Sequence, residues 1–130
     1  VIEGNFAYIG HMDNPHGTSV MDVSDPSNPK IVASFDIPSG LHSHKVRVAN
    51  DIMVVNRERA RGEKPENDFV GLRIFDVSNP RAPKDIGRWA CDGTGVHRFR
   101  RRPLCLHLGR VRRIRRHHRG HPRGSPAVRG

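Results

Sequence analysis

Three histidines are the residues of this 130-residue chain best placed to do chemistry. His42 and His44 flank Ser43, and alternate residues of an extended segment share a face, so both imidazoles would project the same way. His97, in Gly95-Val96-His97, stands where His44 stands one repeat earlier. Neutral imidazole is a common ligand for zinc, copper or iron, and three converging rings would make a metal centre. The same rings admit a plainer role, in which each hydrogen-bonds a neighbouring loop and closes a junction between repeats. No carboxylate sits beside them at ligand spacing along the chain, which favours the plainer role. His11 and His16 lie in a polar loop and are expected to be solvated. No other chemistry is visible. The chain has no Gly-rich phosphate loop, nucleophile elbow, Cys-x-x-Cys pair or metalloprotease motif, so no catalytic residue and no required cofactor is assigned. Cys91 and Cys105 form neither a metal spacing nor a disulfide framework.

The elements that must position these histidines come from a stretch that occurs twice. Residues 19–35 read SVMDVSDPSNPKIVASF and residues 73–89 read RIFDVSNPRAPKDIGRW, in register at an offset of 54. Each is an apolar strand, an Asp-Val-Ser-Asx-Pro turn and a second strand ending on an aromatic, Phe35 or Trp89. Proline fixes φ near −65° and cannot continue a ladder, so two prolines three apart turn the chain out of one strand and into the next. Asp22, Ser24 and Asp25, with Asp76 and Ser78 in the second copy, are read as caps of that turn rather than as paired catalytic acids. Phe35 and Trp89 are read as core between repeats.

Shorter strand signals complete each copy. Residues 6–9 are a compact run of strand formers, residues 44–48 alternate with period two, and residues 52–55 are a continuous apolar run rich in β-branched side chains. The second copy therefore holds four strands, at about 44–49, 51–56, 71–77 and 85–91, while the first lacks most of its opening strand. Residues 57–68, charged and carrying Gly62 and Pro65, are expected to form a solvent-exposed hairpin loop. Four short antiparallel strands per repeat of this length indicate a β-propeller blade. The expected fold is all-β: a propeller fragment of about one and a half to two four-stranded antiparallel blades. Residues 1–38 supply the first blade, 42–92 the second and 93–99 the start of a third, with a disordered basic tail over 100–130. The chain starts at Val1 without Met, as a piece of a longer chain would.

Gly71-Leu72-Arg73-Ile74-Phe75-Asp76-Val77-Ser78-Asn79-Pro80, with its weaker partner over residues 18–26, resembles the LVIVD repeat of bacterial and archaeal β-propeller proteins. Residues 5–9 and the Gly-x-His segment at 95–97 are similar to that repeat as well. The resemblance covers residues 1–99. It implies a propeller, often secreted, periplasmic or on the cell surface, and no single established activity. Strands that open blades line a propeller's central channel, where His44 and His97 would converge.

Charge divides the chain sharply. Residues 1–97 hold all 13 acids and 11 of the 23 Lys and Arg, a net of −2, whereas residues 98–130 hold 12 Arg and no acid. Such a tail has the composition of a nucleic-acid-binding arm, disordered alone and binding polyanions in a salt-sensitive way. A shifted reading frame fits the residues better. Residues 100–108 can be encoded CGA CGG CGA CCG CTA TGC CTA CAT CTC, and dropping the first base restores Asp-Gly-Asp-Arg-Tyr-Ala-Tyr-Ile. That is the strand a third repeat needs after His97. In the shifted frame Cys105 becomes Val or Ala, and His107, His117, His118 and His121 each become Ile or Thr. On this reading nucleic acid is not a partner. No stretch reaches the ~18 apolar residues of a membrane helix.

The favoured function at this level is a non-enzymatic binding or interaction module, with a protein or surface ligand met by inter-strand loops such as 57–68. A metal-dependent propeller enzyme using His42, His44 and His97 is one alternative, and polyanion binding through the tail is another.

Overall fold

The computed structural model describes residues 1–13, 15–63 and 69–99, and within them the chain is all-β, with nine strands in two antiparallel sheets. The basic-arm and shifted-frame readings of residues 100–130 concern residues outside that range. In the first sheet β1 (Ile2–Glu3), β2 (Phe6–Gly10), β3 (His16–Asp22) and β4 (Lys30–Asp36) lie side by side in chain order. In the second, β7 (Ile52–Arg59), β8 (Val70–Asp76) and β9 (Lys84–Cys91) follow the same order. Their fourth neighbour is built from two pieces, β5 (Leu41–His42) and β6 (Val46–Ala49), which pair with opposite ends of β7. Residues 43–45 interrupt that strand. Residue 44, from which an unbroken strand was expected, falls inside that break, and β6 starts at Val46.

The sequence repeat is a geometric repeat down to single hydrogen bonds. Ladder register shifts between Val20 and Met21 in the first sheet and between Ile74 and Phe75 in the second, 54 residues apart. Below the bulge Asp22 pairs with Lys30, and Asp76 with Lys84. The Ser24 amide donates to Asp22 Oδ1 at 2.9 Å, and the Ser78 amide to Asp76 Oδ1 at 2.9 Å. Three residues further on, the amides of Ser27 and Arg81 donate to Asp25 and Asn79 Oδ1 at 3.0 and 3.1 Å. These short side chains take up turn amides that the proline-broken ladder cannot satisfy. A bond from Arg81 to Asp22 Oδ2 ties the second turn back to the first. Between β6 and β7, Asn50 and Asp51 both have positive φ (49° and 59°), the backbone of a tight two-residue hairpin.

The two sheets meet over one core, made of Tyr8, Val20, Val46, Met53, Val55, Phe75 and Val77. Phe35 joins it against Phe75, ring centroids 4.7 Å apart. Each such side chain removed from water contributes about 1.5–3 kcal/mol, so this seam is what holds the repeats together. On the opposite face of the second sheet, Leu72 packs with Val96 and Phe99, and Trp89 lies against that cluster. The second sheet is thus covered on both faces.

The expectation for residues 57–68 needs correction. Residues 57–59 belong to β7, where Arg57 is buried and Glu58 half-buried. The strand runs on because β8 and β5 both offer it ladder partners: Arg57 pairs with Gly71, and Glu58 with His42. Arg57 is tolerated inside because its Nε donates to the Phe69 carbonyl at 3.2 Å and its guanidinium lies over the Phe69 ring. The turn that follows occupies residues 60–63, and residues 64–68 lie outside the described range.

Candidate metal centre

Glu58 is the residue around which the histidines gather. It faces His42 directly across the β5–β7 ladder, a placement that brings two side chains within contact distance. His42 Nε2 donates to Glu58 Oε2 at 3.0 Å. From the other side His97 Nδ1 donates to the same carboxylate, 3.0 Å from Oε2 and 3.2 Å from Oε1. His44 completes the group, its Nδ1 3.9 Å from Oε2. The imidazoles of His42 and His44 meet edge to face at 4.7 Å, and those of His44 and His97 lie 5.1 Å apart.

His42, His44 and His97 are therefore brought together, and the carboxylate that sequence spacing did not offer is supplied by Glu58. Separation along the chain concealed it. Glu58 is 16 residues from His42 and 39 from His97, and only the β5–β7 register makes them neighbours. The signal available was strand continuation: had the apolar run at 52–55 been extended to residue 59, Glu58 would have entered a strand.

His44 sits in the break between β5 and β6, and its position is set by contacts on three sides. Asn56, fully buried on β7, accepts the Lys45 amide on Oδ1 at 2.8 Å and donates from Nδ2 to the Val96 carbonyl at 2.8 Å. One side chain thus anchors the residue after His44 and the residue before His97. From the first sheet, Gly10 closes on the same segment: a Cβ there would collide with the Ser43 carbonyl and come within 2.8 Å of the His44 carbonyl carbon. Ser43 is held further by its amide on the His11 carbonyl at 3.3 Å and by its hydroxyl against Thr18 Oγ1 at 3.2 Å. On the His97 side, Gly95 bridges to Glu58 at φ +100°, where a Cβ would strike the Arg57 carbonyl. Glycine is needed at both places so that backbone can approach backbone.

The histidines differ in exposure. The side chain of His44 is 8% exposed and that of His97 60%. Burial pushes the His44 pKa below the ordinary histidine value, and the nearby His42 and Lys45 push the same way, while Glu58 opposes them. His44 is consequently neutral near pH 7, the state in which imidazole binds metal. Its Nδ1 is buried and, among the described residues, has no hydrogen-bond partner. Buried polar atoms are nearly always satisfied, so this is an atom whose partner is to be sought. His11, expected to be solvated, instead places Nε2 2.9 Å from Ser19 Oγ, while His16 is exposed at the start of β3.

Donor atoms of His42, His44 and Glu58 all lie within 4.8 Å of one another. Ligands about 2.1 Å from a tetrahedral ion are about 3.4 Å apart. The two distances to Glu58 Oε2, 3.0 and 3.9 Å, fall on either side of that edge.

A family model described as the LVIVD repeat matches residues 1–37 and 67–90. An uncharacterised protein of Archaeoglobus fulgidus is 37% identical over 71 residues, 54% of this chain. Those residues are 10% of that protein, so the chain spans about a tenth of the relative it matches. No solved structure matches.

Proposed function

The chain belongs to the LVIVD-repeat family through residues 1–37 and 67–90, and from this repeat framework we propose a metal-binding propeller module. In it His42, His44 and Glu58 take one divalent transition-metal ion, and His97 holds the Glu58 carboxylate in place. The observation that carries the reading is the His44 Nδ1 atom, buried and, among the described residues, unpartnered 3.9 Å from a carboxylate that two other histidines already orient. Two imidazoles and one carboxylate suit zinc or ferrous iron. His97 then acts as the outer partner that fixes a ligating carboxylate, a role worth about 10–100-fold in metal affinity. Such a module binds a ligand through an ion held on strand residues. It does not depend on the loop surface, of which only residues 60–63 remain as a described turn.

Metal analysis after dialysis against excess Zn²⁺ tests this. One ion per chain is expected, lost in His44→Ala and in Glu58→Gln, and weakened about 10-fold or more in His97→Ala. Stoichiometric metal in His44→Ala, or none in the unaltered protein, would sink the reading.

A further inference from the structure

A cavity of about 420 Å³ lies beside His44, along the β6 edge of the second sheet. Lys45, Arg47 and Arg98 line it, with Tyr8 from the first sheet and Phe99 among its other walls. Among the described residues no Asp or Glu lines it. Residues 1–97 carry a net charge of −2, so Lys45 and Arg47 run against their local average, and Arg98 adds the first cation of the basic segment to the same cavity. A concave, positively charged site concentrates field and draws anions. Its volume falls in the range of small-molecule sites.

We propose that this cavity binds a small molecule bearing an oxyanion, a carboxylate or a phosphate. Lys45, Arg47 and Arg98 hold the charge, and the body of the ligand lies toward Tyr8 and Phe99. Arg47 is pre-positioned for this, since its Nη1 donates to the Val46 carbonyl at 2.9 Å. A guanidinium held by one donor keeps its remaining N–H groups for an oxyanion. Arg47 and Arg98 are exposed and Lys45 half-buried, so none of the three is needed for packing. The site stands apart from the metal reading: its charge comes from residues that are not ligands, and it is to be occupied with or without an ion. It adjoins that centre only through His44, which lines both.

The experiment is an NMR titration of the full chain with inorganic phosphate and, separately, with acetate, in the presence of a chelator. The backbone amides of residues 45–47 and the Tyr8 ring are followed. Saturable one-to-one shifts of these signals are expected, with a Kd at least 10-fold weaker in the triple variant Lys45→Ala, Arg47→Ala, Arg98→Ala. Arg47→Glu alone, which leaves the core untouched, is expected to weaken binding as well. The 11 arginines at 100–130 are present in every variant, so the difference between proteins isolates the cavity. Tighter phosphate than acetate binding identifies a phosphate ester as the ligand class, and the reverse order a carboxylate. Shifts that do not saturate, or equal affinity in the triple variant, overturn the proposal. Neither outcome depends on metal content, so failure here leaves the metal reading standing, and failure there leaves this one.

Discussion

At the scale of single residues, Asn56 carries more of the site than any histidine. Its amide oxygen takes the Lys45 N–H and its amide nitrogen feeds the Val96 carbonyl, so it sits between the backbone of His44 and that of His97. It is fully buried, and the groups it satisfies would be left unpaired without it. An unsatisfied buried polar group costs about 1–3 kcal/mol. Asn56→Ala is therefore expected to destabilise the chain by about 2–4 kcal/mol, two such groups less some relaxation. It should also weaken metal binding while leaving all four site side chains intact. Chemical denaturation paired with zinc titration reads both effects. Wild-type zinc affinity in Asn56→Ala would show that His44 and His97 hold their places without it. Asn56 itself was not legible as special, since as the last residue of the strand expected at 51–56 it shows neither of its two partners.

At the scale of elements, the Asp-Val-Ser-Asx-Pro turn was the most legible feature, and the reason is locality. Asp22 and Asp25 accept the amides of Ser24 and Ser27 two residues on, so their geometry is written in adjacent letters. Their 54-residue offset then carries over to the bulges and hydrogen bonds of the second sheet. The break at residues 43–45 and the reach of β7 to Arg59 were not legible, because both depend on partners far along the chain: Asn56 for Lys45, and Gly71, Leu41 and His42 for the last residues of β7. The same turns fix a pH response. The Ser24 hydroxyl and amide, with Arg81 adding charge, hold the Asp22 pKa below its ordinary 3.8, and the Ser78 amide does so for Asp76. A carboxylate whose pKa falls on folding stabilises the native state above its unfolded value, and that contribution drains away as pH falls through the folded value. The turns should therefore be insensitive to pH from neutrality down to about 5 and loosen below the ordinary carboxylate value. The amide shifts of Ser24 and Ser78 measure this, with midpoints expected below 3.8. Midpoints at or above that value would mean that the turn bonds do not favour the charged carboxylate. Asp76→Asn keeps an acceptor for the Ser78 amide and should abolish the titration at that turn alone.

At the scale of the whole molecule, the sheets stack as repeats do, and stacking decides how the chain behaves alone. A repeat unit buries a face only against a neighbour. The second sheet has two neighbours, the first sheet across the Tyr8–Phe75 seam and residues 96–99 across Leu72. Among the described residues the first sheet has one. Ile2 on β1 and Ile31 on β4 stay 70% and 64% exposed, as Ile86 on β9 does at 54%. Strands at a sheet edge with exposed apolar side chains are templates for pairing with another chain. In a longer array such positions meet the next repeat, and the Archaeoglobus relative is about ten times the length of the match. Expressed alone, the chain is expected to self-associate with rising concentration, which light scattering on fractions from size exclusion will show. Ile31→Lys should shift the population toward monomer without disturbing the seam, because Ile31 is not part of the core between the sheets. The seam itself should persist in that variant, with Tyr8 and Phe75 still protected from solvent. A sharply melting monomer of the unaltered chain at all concentrations would show that two sheets and one seam suffice, and that the exposed isoleucines carry no demand for a neighbour.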